Sequence, residues 1–291
     1  MNVYPNEICF NITRRCNLHC EYCYVSDFIN KENNNLKLDL PLSKIKSLVN
    51  QTSIKAVYLT GGEPFMHPEI REIISYFTNL DIKINIATNA LLITESMCHF
   101  LNNKKISLLI SLRENCDFTF HIIKMIEQYN IDIVCYHIPT DDSPSLLYKL
   151  MKECPSVKKV KLLYDSKNPK LPKEWFGVLN NIYKKLKYCL DNLYIDVEVA
   201  YVPKSNIIAK DERRGAFDRV QVSTEGLLYY CPLLVYKVKG ATSMQINKCN
   251  SKICPILSRK MDNEKYASVC CFLVSSLRNA ILIGRYGGAI K

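Results

Sequence analysis

The sequence predicts an α/β protein: an open, partial (β/α)6 TIM-like barrel over residues 1–192, followed by a smaller α+β domain over residues 193–291. Three observations predict it. Short β-rich runs alternate with helix-spaced segments between residues 7 and 164. The six units so formed are too few for a closed eight-stranded barrel. Near residue 192 the rhythm stops, and cysteines then crowd the last quarter. Strand–helix–strand alternation means parallel strands joined by right-handed crossovers. In such folds functional groups gather at the C-terminal ends of the strands.

Taken in order, strands are expected at Glu7–Thr13, Lys55–Thr60, Ile82–Ala87, Ile106–Leu112, Ile131–Ile138 and Lys158–Tyr164. The clearest helix is Pro68–Asn79, where Ile70, Ile73, Ile74 and Phe77 fall at i, i+3, i+4 and i+7 and Pro68 suits a first turn. A second is Asp117–Tyr129, with Phe118, Ile122, Met125, Ile126 and Tyr129 expected on one side. A third, Pro172–Asn192, has Trp175, Leu179, Ile182, Leu186 and Cys189 as its stripe. Beyond it, Leu193–Tyr201 and Arg219–Tyr230 read as strands, the latter folded into a hairpin around Thr224-Glu225-Gly226.

Composition narrows the function classes. A hydrophobic content of 48% supports an ordinary core. No run of about 18 apolar residues occurs, so no membrane helix is expected, and Met1–Asn6 carries no secretory signal. The net charge of +11 comes from basic residues scattered along the chain and reads as a lysine-rich solvated surface, with an anionic partner (nucleic acid, an acidic leader peptide or a phosphorylated metabolite) as the alternative and nucleic acid the least expected of the substrates. Fourteen cysteines in a chain with these features point to a reducing, cytoplasmic setting and to metal ligands or buried thiols rather than disulfides.

Cys16, Cys20 and Cys23 follow the first strand with the spacing C-x3-C-x2-C. A loop of this length can wrap three thiolates around one cubic iron–sulfur cluster and leave one iron open. The residues alone also allow a zinc site completed by His19, or buried thiols. After the second strand comes Gly61-Gly62-Glu63-Pro64. Its glycines permit close backbone approach to a ligand, and Glu63 puts a carboxylate at the strand end; a plain turn before a helix would use the same residues.

These two motifs, one strand apart, resemble the radical S-adenosylmethionine (SAM) superfamily, whose loop carries an aromatic residue before the third cysteine, here Tyr22. The approach Asn11-Ile12-Thr13-Arg14-Arg15 is similar to that family as well. The resemblance implies a [4Fe-4S] cluster on Cys16, Cys20 and Cys23, with SAM on its open iron. It implies SAM contacts from Tyr22 and from Gly61, Gly62, Glu63 and Pro64, with the motif's carboxylate end holding the amino group of SAM. It extends to Thr88 and Asn89 at the third strand's end, where relatives commonly have Thr-Asn-Gly and this chain has Ala90. It extends also to Ser111 on the fourth strand; the Leu-Asp-Gly that often follows is replaced here by Leu112-Arg113-Glu114. A flavodoxin- or ferredoxin-type electron donor is implied too.

The run Arg219–Cys231 resembles the opening of the auxiliary-cluster domain in the SPASM and twitch branches of that superfamily. The resemblance implies one auxiliary [4Fe-4S] cluster on Cys231, Cys249, Cys254 and Cys270, with Cys271 an alternative to Cys270; zinc, or no metal, is the other reading. Twitch and SPASM relatives modify ribosomally made peptides or oxidise small metabolites, so a peptide or small-molecule substrate is expected. The barrel begins within the first dozen residues, so no N-terminal leader-binding domain is expected, which weakens the peptide reading without removing it, since such domains can be separate proteins. Cys135 and His137, two apart on the fifth strand, share a face; Cys135 is read as a small core residue, with hydrogen donation to a substrate radical as the alternative. Cys9, Cys98, Cys154 and Cys189 read as packing.

Overall fold

The computed structural model describes residues 7–23, 26, 29–30, 37–50, 54–113, 117–163, 172–186, 194–197, 219–226 and 228–229. The chain divides into two compact units, Met1–Thr88 with Ala200–Ser276 and Asn89–Val199 with Leu277–Lys291.

The first unit contains β1 (Glu7–Thr13), α1 (Leu42–Val49), β2 (Ala56–Gly61), a 3₁₀ turn (Pro64–Met66), α2 (Ile70–Asn79) and β3 (Lys83–Thr88). Its sheet runs β3-β2-β1 and continues on the other side of β1, as given below. β1 is central and parallel to β2, with Ile8 opposite Val57 and Phe10 opposite Leu59. Six of its seven residues are buried, as a parallel strand covered on both faces requires. The α2 stripe is the predicted one: Ile70, Ile73, Ile74 and Phe77 are buried, and Phe77 meets Phe10 with ring centroids 5.9 Å apart. The Thr224–Gly226 hairpin also forms. β8 (Arg219–Val222) lies parallel to β1, with Phe10 opposite Val222. β9 (Leu228–Tyr229) returns antiparallel to it.

The second unit holds α3 (Glu95–Leu101), β4 (Ile106–Leu112), α4 (Asp117–Ile126), β5 (Asp132–His137), α5 (Ser143–Glu153), β6 (Lys159–Leu162), α6 (Pro172–Leu186) and β7 (Tyr194–Val197). Its strands run in the order β7-β6-β5-β4, every pair parallel. The stripe on α4 differs from the predicted one. Thr119, Phe120, Ile122, Ile123 and Ile126 are buried, whereas Phe118 is 57% exposed. The i, i+3, i+4, i+7 series runs from Thr119, not Phe118, because Phe120 and Ile123 supply the larger apolar face. Leu108, Ile110, Cys135, Val160 and Leu162 are fully or almost fully buried. Among the described residues no helix is long and apolar enough to cross a membrane. Cys116, Cys189, Cys231, Cys249, Cys254, Cys270 and Cys271 lie outside the described residues.

Ala90 adopts φ 67° and is fully buried. A side chain in this left-handed region costs about 1–2 kcal/mol, which glycine avoids. Replacing Ala90 by Gly is therefore expected to raise stability by about 1 kcal/mol, after allowing for the greater freedom of an unfolded glycine. A urea unfolding midpoint that moved down instead would mean that packing of the Ala90 methyl outweighs its strain.

Candidate functional site

The first unit brings the cysteine loop and the Gly61–Pro64 turn together at the ends of β1 and β2. The ladder between the strands slips between Asn11 and Thr13, and Thr13 lies opposite Gly61. Past the strand ends, the Gly62 amide donates to the Thr13 carbonyl and the Glu63 amide to the Arg15 carbonyl, each at 2.7 Å. Both glycines are sterically required. Gly61 takes φ 135°, and a Cβ there would lie 2.1 Å from the Thr13 oxygen. A Cβ on Gly62 would lie 2.1 Å from the Arg15 oxygen. These neighbours are backbone and cannot swing away.

Glu63 is 1% exposed. Its Oε1 accepts from the Phe65 amide at 3.2 Å and from the Thr88 hydroxyl at 2.8 Å. The sequence-predicted Thr88 thus aims the sequence-predicted Glu63 within one unit. Pro64 is buried at the start of the 3₁₀ turn. His67 closes that turn. Its Nδ1 accepts from the Glu69 amide at 3.0 Å, so Nε2 donates to the Leu40 carbonyl at 3.1 Å. Burial holds the ring below its ordinary pKa, although the Leu40 carbonyl and the Asp39 and Glu69 charges pull it up.

The cysteine loop is fastened by residues that no motif announced. Asn30, at φ 53°, accepts the Cys16 amide on Oδ1 and donates Nδ2 to the Cys16 carbonyl, both at 3.0 Å. Asp39 accepts Thr13 Oγ1 at 2.7 Å and two contacts from Arg15 at 2.9 Å, one from Nε and one from NH2. Only the tolerance of Asn for left-handed backbone could have marked Asn30; nothing local marks Asp39.

Cys16, Cys20 and Cys23 are half-buried, in contrast to the buried Cys9, Cys98, Cys135 and Cys154, and none of these forms a disulfide. The Cys23 amide donates to the Cys20 carbonyl at 3.1 Å, making the second half of the loop one tight turn. Burial pushes the Cys16 thiol above its ordinary pKa; the Leu18 amide opposes this, while Glu63, Cys20 and Cys23 push the same way. A Cys16 thiol whose ionisation is opposed by burial and by its neighbours suits a cationic centre, which removes that penalty when it binds. Among the described residues no three His, Cys, Asp or Glu side chains group tightly enough for a single ion, and His19 is exposed. A tetrahedral zinc would draw sulfurs to about 3.8 Å of one another, given Zn–S bonds of about 2.3 Å. A cubane spreads its thiolates over separate corners. Three half-buried cysteines on one short loop are a donor set of the kind that holds an iron–sulfur cluster.

The remaining predicted residues are placed as follows. Tyr22 is half-buried in the cysteine loop. In the second unit, Asn89 is buried and its Oδ1 accepts the Leu91 amide at 3.0 Å. Ser111 is half-buried on β4, opposite Tyr136. Cys135 is fully buried in the core. His137 bridges the Leu112 carbonyl at 3.0 Å and the Ser143 hydroxyl at 2.7 Å. Cys9, Cys98 and Cys154 pack in the interior, and burial lifts the Cys98 thiol to about 11.

The fold is α/β, with a half-buried cysteine loop and a buried carboxylate at adjacent strand ends. Residues 10–132 match the model of the Radical SAM superfamily. The chain is 25% identical to an uncharacterised protein of Methanocaldococcus jannaschii, covering 84% of this chain and 92% of that one. It is 34% identical over 84 residues to a probable GTP 3′,8-cyclase of Methanococcus maripaludis, covering 28% of each chain. It is 26% identical over 108 residues to the subtilosin biosynthesis protein AlbA of Bacillus subtilis, covering 37% of this chain and 24% of that one. The chain thus spans about a quarter of the length of these two functionally named relatives. Among solved structures, SuiB of Streptococcus suis bound to S-adenosylmethionine aligns with a TM-score of 0.67 at 17% identity, covering 90% of this chain and 67% of that one. That likeness shows the fold, the partial TIM-like α/β arrangement predicted from the alternation.

Two predictions follow from the geometry. Gly62→Ala is expected to lose on the order of 2–3 kcal/mol of stability, because the Arg15 carbonyl must move; urea unfolding that matches the parent would refute the clash. In cluster-free protein at pH 8, Cys16 is expected to react with iodoacetamide more slowly than glutathione does, and to speed up as pH rises, because its raised pKa lowers the thiolate fraction. Peptide mass spectrometry reads both rates.

Proposed function

We propose that the protein is a radical SAM enzyme acting on a ribosomally synthesised peptide, with Cys16, Cys20 and Cys23 as ligands of a [4Fe-4S] cluster. The observation that carries this reading is the junction of the half-buried cysteine loop with the buried Glu63, which Thr88 orients at 2.8 Å. When bound, the cluster delivers one electron to SAM, which supplies a 5′-deoxyadenosyl radical able to take hydrogen from an unreactive C–H bond. The protein's part is to bind, orient and shield. Glu63, desolvated and fixed on Oε1 by the Phe65 amide and Thr88, suits the amino group of SAM. Gly61 and Gly62 keep that turn against the cysteine loop, Pro64 fixes its exit, and Tyr22 borders the loop. Asn89 and Ser111 are assigned to SAM through the family resemblance.

Cys231, Cys249, Cys254 and Cys270 are assigned to one auxiliary cluster in a domain spanning residues 193–291. Four protein ligands close such a cluster to substrate, which suits electron transfer. A flavodoxin- or ferredoxin-type donor in the cytoplasm fits the cysteine usage. The peptide substrate is supported by the likeness to AlbA, a bacteriocin biosynthesis protein. It is also supported by the shared fold with SuiB, whose structure with its precursor peptide SuiA aligns at a TM-score of 0.67. A small-metabolite reading, dehydrogenation or cyclisation, draws on the match to the probable GTP 3′,8-cyclase.

Anaerobic reconstitution is expected to give about eight irons and eight sulfides per chain, and about four after Cys16, Cys20 and Cys23 are all changed to Ala. With SAM and dithionite the parent is expected to release 5′-deoxyadenosine and the triple variant none; production at the parent rate would end the proposal. Glu63→Gln is expected to raise the KM for SAM roughly 10- to 100-fold, the value of one charge-assisted hydrogen bond.

A further inference from the structure

We propose that Arg14 is a positioning residue that makes the β8–β9 hairpin part of the mount of the cysteine loop, so that the C-terminal segment and the first cluster ligand, Cys16, are held by one network. The inference rests on the cluster reading for its consequence, but the mount is a property of the chain alone.

Arg14 stands two residues before Cys16 and is only 4% exposed. A buried guanidinium with five donors needs acceptors on several sides. Its Nε donates to the Lys37 carbonyl at 3.1 Å and to Thr224 Oγ1 at 2.9 Å, and NH2 donates to Glu225 Oε1 at 2.8 Å. The Glu225 oxygen also accepts from the Lys37 amide at 3.2 Å and from Thr224 Oγ1 at 2.9 Å. Burial alone would raise the Glu225 pKa, yet hydrogen bonds from Ser223, Arg14 and Thr224 and the Arg14 charge leave it below the ordinary carboxylate range. One strand earlier, Asn11 Nδ2 donates to the Val222 carbonyl at 3.0 Å.

On the other side the same residue holds the loop through its backbone. The Arg14 amide donates to the Leu38 carbonyl at 2.7 Å, and its carbonyl accepts the Asn30 amide at 2.9 Å. Asn30 in turn clamps Cys16 at both its amide and its carbonyl. A continuous path therefore runs from Glu225 through Arg14 and Asn30 to Cys16, joining residues 211 apart in sequence. Cys231 stands two residues after Tyr229, the end of β9, and β9 pairs with the β8 strand that this mount holds. A buried ion pair is costly to break on one side and cheaper to remove whole. That suits a device that fixes geometry rather than one that maximises stability.

The test uses the full-length, cluster-free chain and amide hydrogen exchange. Arg14→Met and the near-isosteric Glu225→Gln are each expected to raise exchange in residues 14–23 about tenfold or more, together with residues 219–226, while residues 106–112 keep the parent rate. The double variant is expected to be no worse than the worse single, the signature of one shared interaction. Arg14→Lys is expected not to rescue, since one ammonium cannot span all three acceptors. Should Arg14→Met fail to fold, Glu225→Gln alone decides. If exchange rises in 219–226 and stays at the parent rate in 14–23, the mount is refuted. A reconstituted arm then separates the two readings. Altered reduction potential of the cluster in Glu225→Gln supports the mount acting on Cys16, whereas a parent chain that binds no iron refutes the cluster reading and leaves the exchange result standing.

Discussion

The Gly62 and Glu63 amides reach past the ends of β1 and β2 to the Thr13 and Arg15 carbonyls, both at 2.7 Å. At that distance the chains leave no room for a Cβ, and the two glycines follow from it. The same approach brings Glu63 near Cys16. Move the turn outward by the width of a methyl group, and both the orientation of the carboxylate and the backing of the cysteine loop change together. Motif spacing along the sequence thus translates into one short contact between two parallel strands, whose register begins far below, at Glu7 and Ala56.

Around that contact the electrostatics are arranged for an occupant. Glu63 is buried, and its Oε1 accepts from the Phe65 amide and the Thr88 hydroxyl. Burial first, and the Glu63 charge after it, push the Cys16 thiol above its ordinary pKa. By contrast, the two arginines of the approach are committed elsewhere: Arg15 to Asp39 and Arg14 to Glu225. The Arg14 and Arg15 ion pairs brace the backbone beside the loop, and the Glu63 charge opposes ionisation of Cys16. A bound ammonium and a metal cluster would each remove part of this mutual repulsion.

Much of this was legible in the sequence because it rests on local chemistry. The β1 pattern, the α2 stripe and the Cys16–Cys23 spacing show in neighbouring residues; the Gly-Gly turn was legible as a motif, although the carbonyls that require its glycines, those of Thr13 and Arg15, are distant in sequence. Asn30 and Asp39 were not legible, since their partners at Cys16, Thr13 and Arg15 lie 14 to 26 residues away with no period to mark them. The hairpin at Thr224-Glu225-Gly226 was legible as a turn, but its pairing with β1 was not: a parallel partner some 212 residues distant leaves no mark on local pattern. On α4 the periodicity was right and its phase wrong, because Phe118 and Phe120 offer two overlapping stripes and only packing chooses between them.

The alternation on β5 decides which side chains of the second unit can serve chemistry. Cys135 and His137 take the fully buried face, with Ile110, Leu112, Val160 and Leu162 opposite them in register. His137 has its ring fixed by Leu112 and Ser143, so it locks the strand end to α5. The intervening residues fall on the other face. There Ser111, Tyr136 and Lys161 form one row across β4, β5 and β6, each half-buried, with the Lys161 ammonium 5.8 Å from the Tyr136 ring centre. Cys135 is fully buried, on the face of β5 opposite to that of Tyr136. Rotating it across would exchange every neighbour on the strand. Its burial fits the packing role, and the half-buried polar side chains of this part of the sheet are those of the Ser111 row.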